Sequence, residues 1–199
     1  MEKLVLIDGH SILNRAFYGV PNLTNSEGLH TNAVYGFLNI LFKVLDEEKA
    51  DYLAVAFDLK APTFRHKMFD AYKGTRKPMP EELHEQVPLM KEVLTAMGVP
   101  ILTKEGYEAD DILGTIAKRE QKDGYEVTIL SGDRDLLQLS DTHIRICLPK
   151  TSRGTTEVHN YYPEDVIREY QVTPEQFIEA NALLGAQSDN IPGVPSIGA

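Results

Sequence analysis

An α/β fold with a mainly parallel central sheet flanked by helices is what this sequence predicts. Three observations carry that reading. Apolar runs of strand length recur at Leu4–Ile7, Leu53–Phe57, Val99–Leu102, Val127–Leu130 and Ile144–Cys147. Segments of helical periodicity lie between them, and this alternation builds parallel strands through helical crossovers. The runs are continuous rather than interleaved with polar residues, which fits strands covered on both faces.

The elements follow in order. The start, MEKLVLIDGH, has too short an apolar stretch for a signal peptide and reads as a first strand. Ala33 to Leu45 carries a helical stripe at Val34, Phe37, Leu38, Leu41 and Leu45. Glu81 to Met97 carries Leu83, Val87, Met90, Leu94 and Met97, entered through Pro80. Pro88 falls inside that stripe, so the helix kinks there or begins later. Asp110 to Lys122 carries Ile112, Leu113, Ile116 and Ala117. After Pro149 the texture becomes polar, and residues 150–160 read as a turn or short hairpin. Pro163–Tyr170 and Pro174–Leu184 read as helices, each with a proline near its start and acids in the first turn.

Composition narrows the class. A chain of 199 residues suits one domain with at most a small appendage. No apolar run approaches the ~20 residues that span a bilayer. The single cysteine, Cys147, excludes an internal disulfide and any multi-cysteine zinc site. The expectation is a cytoplasmic protein with no membrane partner. Twenty basic against 30 acidic residues give a net charge of −10, which taken alone argues against nucleic acid. The distribution argues otherwise. Lys60, Arg65, Lys67, Lys73, Arg76 and Lys77 are crowded into one segment that holds a single acid, Asp70.

The acids are placed as the base is. Asp8 closes the first apolar run and Asp58 the second. In an open α/β sheet, ligands bind beyond the carboxyl ends of strands, where such residues point. Glu108, Asp110 and Asp111 open a helix, with Glu108 and Asp111 on one face. Asp133 and Asp135 follow the Val127–Leu130 run, and Asp189 lies in SDNIPG. Helix capping and Asx turns are the plain alternatives for each acid alone. Together they repel one another unless cations sit between them. Hard oxygen ligands without His or Cys favour Mg²⁺, with Mn²⁺ as a substitute, over zinc.

Two further segments fit a polyphosphate partner. FRHKMFDAYKGTRKPMP gathers Arg65, Tyr72, Lys73, Arg76 and Lys77, of which arginine binds phosphate bidentately and lysine as a point charge. A solvated loop is the alternative for a basic run. In DNIPGVPSIG, Gly193 and Gly198 bracket a proline-bearing turn able to offer backbone N–H groups to a phosphate. The six histidines are scattered without a zinc spacing, and no Ser-His-Asp elbow, Walker loop or dinucleotide fingerprint is present.

IDGHSILNRAFYG, TNAVYGF, AFDLKAPTFRHKMFDAYKGTRKPMP, GYEADDILGTIA, ILSGDRDLLQL and SDNIPGVPSIG resemble the 5′-nuclease domains of bacterial DNA polymerase I, within the flap endonuclease family. The resemblance runs over essentially the whole chain. It implies a PIN-like fold with a helical arch. Residues 1–160 would form the nuclease core, with the basic arch segment at about 60–80. Residues 161–199 would form a helical DNA-binding element, a helix–hairpin–helix incomplete at its C-terminal end.

The resemblance also implies a 5′–3′ exonuclease and 5′-flap endonuclease that uses two Mg²⁺ ions in RNA primer removal and DNA repair, linked to a polymerase portion. Its substrates would be a 5′ flap or single-stranded 5′ end beside a duplex, and an RNA primer–DNA hybrid. Asp8, Asp58, Glu108, Asp110 and Asp111 match the family's first metal site; Asp133, Asp135 and Asp189 match the second. Tyr72, Lys73 and Arg76 match catalytic residues of the arch, with Arg65 and Lys77 beside them as DNA contacts. Gly193, Val194, Ser196 and Gly198 match the duplex-gripping hairpin, with K⁺ bound there.

Two departures stand out. Ala186 occupies a position at which the family places a second-site carboxylate, and the chain stops at Ala199, as the hairpin's second helix would begin. A weakened second site is therefore expected. Two other readings compete: a catalytically weak DNA-junction-binding module, and a metal-dependent phosphatase on a similar sheet. The phosphatase wants an acid two residues beyond Asp8, where His10 stands.

Overall fold

Six strands pair into one sheet in the computed structural model, which describes residues 1–152 and 155–197. They are β1 (Lys3–Asp8), β2 (Tyr52–Ala56), β3 (Ile101–Leu102), β4 (Glu126–Leu130), β5 (Ile144–Ser152) and β6 (Thr155–Tyr161). Their order is β3-β2-β1-β4-β5-β6, with the first five parallel and β6 antiparallel to β5. The order reverses direction between β1 and β4. At such a switch point the connections leave to opposite faces and open a crevice beyond the strand ends. Asp8 ends β1, and Ser131 to Asp133 follow β4.

Alternate residues of each strand feed two apolar layers. Val5, Ile7 and Val55 pack with Ile12, Phe37, Leu41, Met90 and Leu94 on one face. Leu4, Leu6, Ala54, Ala56, Val127 and Ile129 pack with Leu113, Ala117, Val166 and Phe177 on the other. The first layer belongs to α1 (Gly9–Gly19), α2 (Asn32–Glu48) and α5 (Gln86–Ala96). The second belongs to α6 (Ala109–Lys122), α7 (Pro163–Tyr170) and α8 (Pro174–Leu184). Val166 and Phe177 are buried, so this layer runs on past residue 160 without a break in packing. No helix among the described residues is long and apolar enough to cross a membrane.

The structure departs from the sequence reading in four places. First, Gly9–Gly19 is a helix that periodicity over a longer window does not isolate. Asp8 caps it, accepting a hydrogen bond from the Ser11 N–H at 3.0 Å. Second, the stripe over Glu81–Met97 is two helices, α4 (Glu81–His84) and α5, joined at Glu85. Pro88 has no N–H to donate to the His84 carbonyl, so the ladder is interrupted there. Third, of the turn or short hairpin read at 150–160 the hairpin holds, but its strands β5 and β6 reach from Ile144 to Tyr161, beyond those bounds. Fourth, the arch segment at 60–80 contains one five-residue helix, α3 (Phe64–Met68), followed by turns, rather than a continuous helical arch.

A buried amide locks the arch's exit to α2. Gln86 is fully buried, and its Oε1 accepts from the N–H groups of Ala33 (2.8 Å) and Val34 (3.2 Å), the otherwise unpaired start of α2. Its amide nitrogen donates to Asn32 Oδ1 (3.0 Å) and the Glu82 carbonyl (2.8 Å). Gln86→Leu fills similar volume but strands these groups in the core. Urea denaturation should show a loss of about 1–3 kcal/mol; an unchanged midpoint would mean that water replaces the amide.

Candidate metal centre and nucleic-acid interface

Local structure brings the acids to the switch point. Asp8 is buried (6% exposed), capping α1 with Oδ1 while Ser131 donates to its Oδ2 at 2.9 Å. Asp58 follows β2 and accepts from the Ala109 N–H at 2.7 Å, tying it to the N-terminus of α6. Asp133 is positioned by its own turn: its N–H donates to Ser131 Oγ (3.0 Å), and its Oδ1 accepts from the Asp135 N–H (2.8 Å). Gly132 donates to Ser11 Oγ at 2.8 Å, fastening that turn to α1. Gly9 allows this assembly, because a Cβ there would meet the buried Phe57 ring at 2.5 Å.

Electrostatics then separates the acids into groups. Burial pushes the Asp8 carboxyl up to about 6, with the charges of Asp58 and Asp133 adding to the effect. Burial also raises Asp110 well above the ordinary carboxylate range, helped by Asp8, Asp133 and Asp58. Asp110 Oδ1 is buried without a hydrogen-bond partner. Asp8, Asp58, Glu108, Asp110 and Asp133 all line one open cleft of about 1230 Å³.

Asp111, Asp135 and Asp189 stand outside that lining. Arg65 grips Asp111 with two parallel bonds of 2.8 and 2.9 Å, and Asp111 also caps the Glu108 N–H at 2.9 Å. Asp111 is thus the second half of a capping box with Glu108. Burial raises Asp135, beside Asp133 and Asp189, while Asn181 on α8 donates to it at 3.0 Å. Asp189 pairs with Arg76 at 2.5 Å, and its carbonyl accepts from the Lys73 N–H at 2.8 Å.

The basic segment folds down on these acids rather than standing clear of them. Lys73 Nζ lies 2.7 Å from Glu108 Oε1, and the buried Tyr72 hydroxyl donates to Glu108 Oε2 at 3.0 Å. Lys73 adopts φ 56, a left-handed turn that brings its side chain back over the site. Among the described residues, no three acidic, histidine or cysteine side chains stand close enough together to enclose one ion. Lys73, Arg65 and Arg76 hold Glu108, Asp111 and Asp189 as counter-ions instead. The chemistry nevertheless fits a hard cation at the core: the orphaned Asp110 oxygen and the crowded Asp8, Asp58 and Asp133 are all oxygen donors whose mutual repulsion a cation would relieve.

The hairpin residues have mixed standing. β7 (Gly185–Ala186) pairs with β8 (Ile191–Pro192) in a small antiparallel ribbon after α8. A Cβ on Gly193 would fall 2.3 Å from the Leu184 carbonyl, so the turn needs glycine there. The Val194 N–H donates to the Leu183 carbonyl at 2.8 Å and is already engaged, while Ser196 sits at φ 67. Gly198 lies outside the described residues. Lys77 is exposed near the end of the arch segment.

Several cleft residues escaped the sequence reading. Ser11, Asn14, Arg15 and Tyr18 present one face of α1 to it. Lys60, His84 and Lys91 line it as well. His10 accepts from the Asp58 N–H at 3.2 Å through Nδ1, and burial lowers its basicity. Of these, Lys60 was named from sequence only as part of the basic segment, and His10 only against a phosphatase.

Known proteins match this chain over its full length. The profile of the family described as 5′-3′ exonuclease, N-terminal resolvase-like domain, matches residues 3–171. DNA polymerase I of Bacillus caldotenax is 50% identical over 197 residues, covering 99% of this chain and 22% of that protein. The chain therefore spans about a fifth of the length of such relatives. Among solved structures, bacteriophage T5 5′-exonuclease with bound divalent metal ions (zinc) superposes with a TM-score of 0.76 at 25% identity, covering 99% of this chain and 72% of that one. A bacteriophage T5 flap endonuclease complex with DNA and metal ions gives 0.76 at 25% identity, covering 99% and 71%.

Proposed function

The chain belongs to the 5′-3′ exonuclease family, with the fold of metal-dependent flap nucleases, and on that footing we propose that it hydrolyses phosphodiester bonds at 5′ flaps and single-stranded 5′ ends beside a duplex. RNA primers on DNA are a second substrate, in primer removal and repair, with the domain linked to a polymerase portion. The observation that carries the reading is the buried, partnerless oxygen of Asp110 among Asp8, Asp58 and Asp133 at the switch point of the sheet.

Asp8, Asp58, Glu108, Asp110 and Asp111 would hold one Mg²⁺, and Asp133, Asp135 and Asp189 a second and weaker one, Mn²⁺ substituting. When bound, such ions lower the pKa of a coordinated water and stabilise the leaving oxygen. The chain's own residues do the rest. Lys73 and Arg76, which pair with Glu108 and Asp189 in the structure, would turn to the scissile phosphate and offset its charge in the transition state once those carboxylates served as cation ligands. The Tyr72 hydroxyl keeps Glu108 oriented throughout that exchange. Arg65 fixes Asp111 and α3 beneath the site, while Lys77 lies along the incoming strand. The turn that begins at Gly193, with K⁺, would grip the duplex backbone without reading bases.

A second reading, a DNA-junction-binding module with little cleavage, is favoured by Ala186 and by the arch cations that already satisfy Glu108 and Asp189. A 5′-labelled flap duplex separates the two. Cleavage at the junction in Mg²⁺ that EDTA abolishes is the expected result. Binding to the junction with cleavage no faster than in EDTA would establish the second reading instead.

A further inference from the structure

Besides Lys73 and Arg76, the cleft is lined by a second set of basic residues that nothing in the metal chemistry uses. His84, Val87, Pro88 and Lys91 line the cleft at i, i+3, i+4 and i+7, a single face of the α4–α5 run. Glu85, which joins the two helices, keeps right-handed helical angles (φ −68, ψ −26), so that face continues across the join. Lys91 Nζ rests 4.8 Å above the centre of the buried Phe57 ring. Lys60, at the exit from β2, points its Nζ at His84 Nε2 from 2.6 Å. Among the described residues, neither lysine has a carboxylate partner. This contrasts with Lys73 and Arg76, which are both paired.

Lys60 donates to the His84 ring nitrogen and has further N–H donors to offer an anion, and Lys91 stands about two turns away along the same face. Seven residues of helix separate His84 from Lys91 by about 10 Å. Between the charged ends the wall is apolar, formed by Val87 and Pro88. Charge at both ends and a greasy middle match a short stretch of single strand. Phosphates meet the cations, and a sugar or base lies against the apolar patch. Unpaired strands are held by such combinations without base readout.

We propose that the α4–α5 face, with Lys60, is a binding site for the backbone of the unpaired 5′ strand, in which Lys91 takes one phosphate and the Lys60–His84 pair another. The site lines the same cleft as Lys73 and Arg76, so the strand meets both sets of cations as it passes the acids. The inference rests on the nuclease reading above and specifies which wall holds the single strand. Lys91 keeps its stem packed on Phe57, and its charge is the part that binds.

Fluorescence anisotropy in EDTA, where no cleavage intervenes, tests this with a duplex carrying a 5′ single-stranded extension and with the same duplex blunt-ended. Lys91→Met keeps the stem and removes the charge; Lys60→Met does the same at an exposed position. Each should weaken binding of the extended DNA severalfold and leave the blunt duplex unaffected. Each should also lower the slope of log K against log salt by about 0.7 for the lost phosphate contact. Unchanged affinity and slope on the extended DNA, or equal losses on both DNAs, would overturn the site while leaving the nuclease reading intact. Should Lys91→Met shift the urea midpoint, Lys60→Met decides alone. Failure of the unsubstituted chain to bind either DNA would overturn the nuclease reading and this inference together.

Discussion

Asp110→Asn is expected to make the metal-free protein more stable and the nuclease nearly inactive. The two effects have one origin. Asp110 Oδ1 is buried without a donor, and Asp8, Asp58 and Asp133 add repulsion. A buried unsatisfied polar group costs about 1–3 kcal/mol, and more if charged. An asparagine amide is neutral and can donate to a neighbouring carboxylate, so the cost is relieved. The gain should appear as a Tm several degrees higher in EDTA, at about 2–4 °C per kcal/mol for a chain of this size. In the proposed metal site the same change would remove a direct cation ligand. Losing an outer partner of a metal site costs roughly 10–100-fold, so cleavage in Mg²⁺ should fall by at least ~100-fold.

The pH dependence carries the same sign. Asp8 is raised from the ordinary carboxylate range to about 6 in the folded chain. The folded state then binds more protons than the unfolded state between about pH 4 and 6, and stability falls as pH rises through that window. In EDTA the parent should therefore be more stable near pH 5 than near pH 7 so far as this cluster is concerned. Asp110→Asn, which removes one of the repelling charges, should flatten the slope. A variant that lost stability in EDTA, or a parent that gained it from pH 5 to 7 with an unaltered slope in the variant, would contradict an uncompensated acidic core.

What the sequence disclosed and what it withheld have separate physical causes. Strand ends were legible because apolar runs stop sharply, and an acid at that point of a parallel sheet can face only the crevice; Asp8 and Asp58 stand there. Asp110 and Asp111 are neighbours in sequence with opposite situations in space. Helical geometry turns Asp110 inward to the cluster and Asp111 back to the Glu108 N–H and to Arg65. A count of acids cannot distinguish those two. The helix after Asp8 was missed because its buried face, Ile12, Leu13 and Ala16, spans little more than one turn. Lys91 was invisible for a different reason. One lysine on an amphipathic helix reads as a solvated residue, and only the crossover that lays α5 beside β2 brings it to the cleft. Local pattern thus reported chemistry that the strands themselves terminate, and was silent where distant elements meet.

Ala186→Asp should raise cleavage of a 5′ flap by ten- to a hundredfold or more in Mg²⁺. The backbone is ready for the change. Ala186 is extended (φ −127, ψ 96) and stands as the residue before the short 3₁₀ turn Gln187–Asp189, a position that favours aspartate because its carboxylate can accept from the N–H groups that follow. That turn already carries Asp189, itself beside Asp135. A further carboxylate there adds a donor to the side of the site that has the fewest. Without metal it also adds repulsion toward Asp135 and Asp189, so the variant's Tm in EDTA should not rise, whereas added Mg²⁺ should stabilise it more than the parent. Ala186→Asn supplies the same cap without the charge. It should match the aspartate variant in folding and the parent in cleavage. If the asparagine variant cleaved as fast as the aspartate variant, the gain would come from ordering the turn. If neither exceeded the parent, the second site would be complete without position 186, and the limit on this chain's activity would have to lie with the arch cations that hold Glu108 and Asp189.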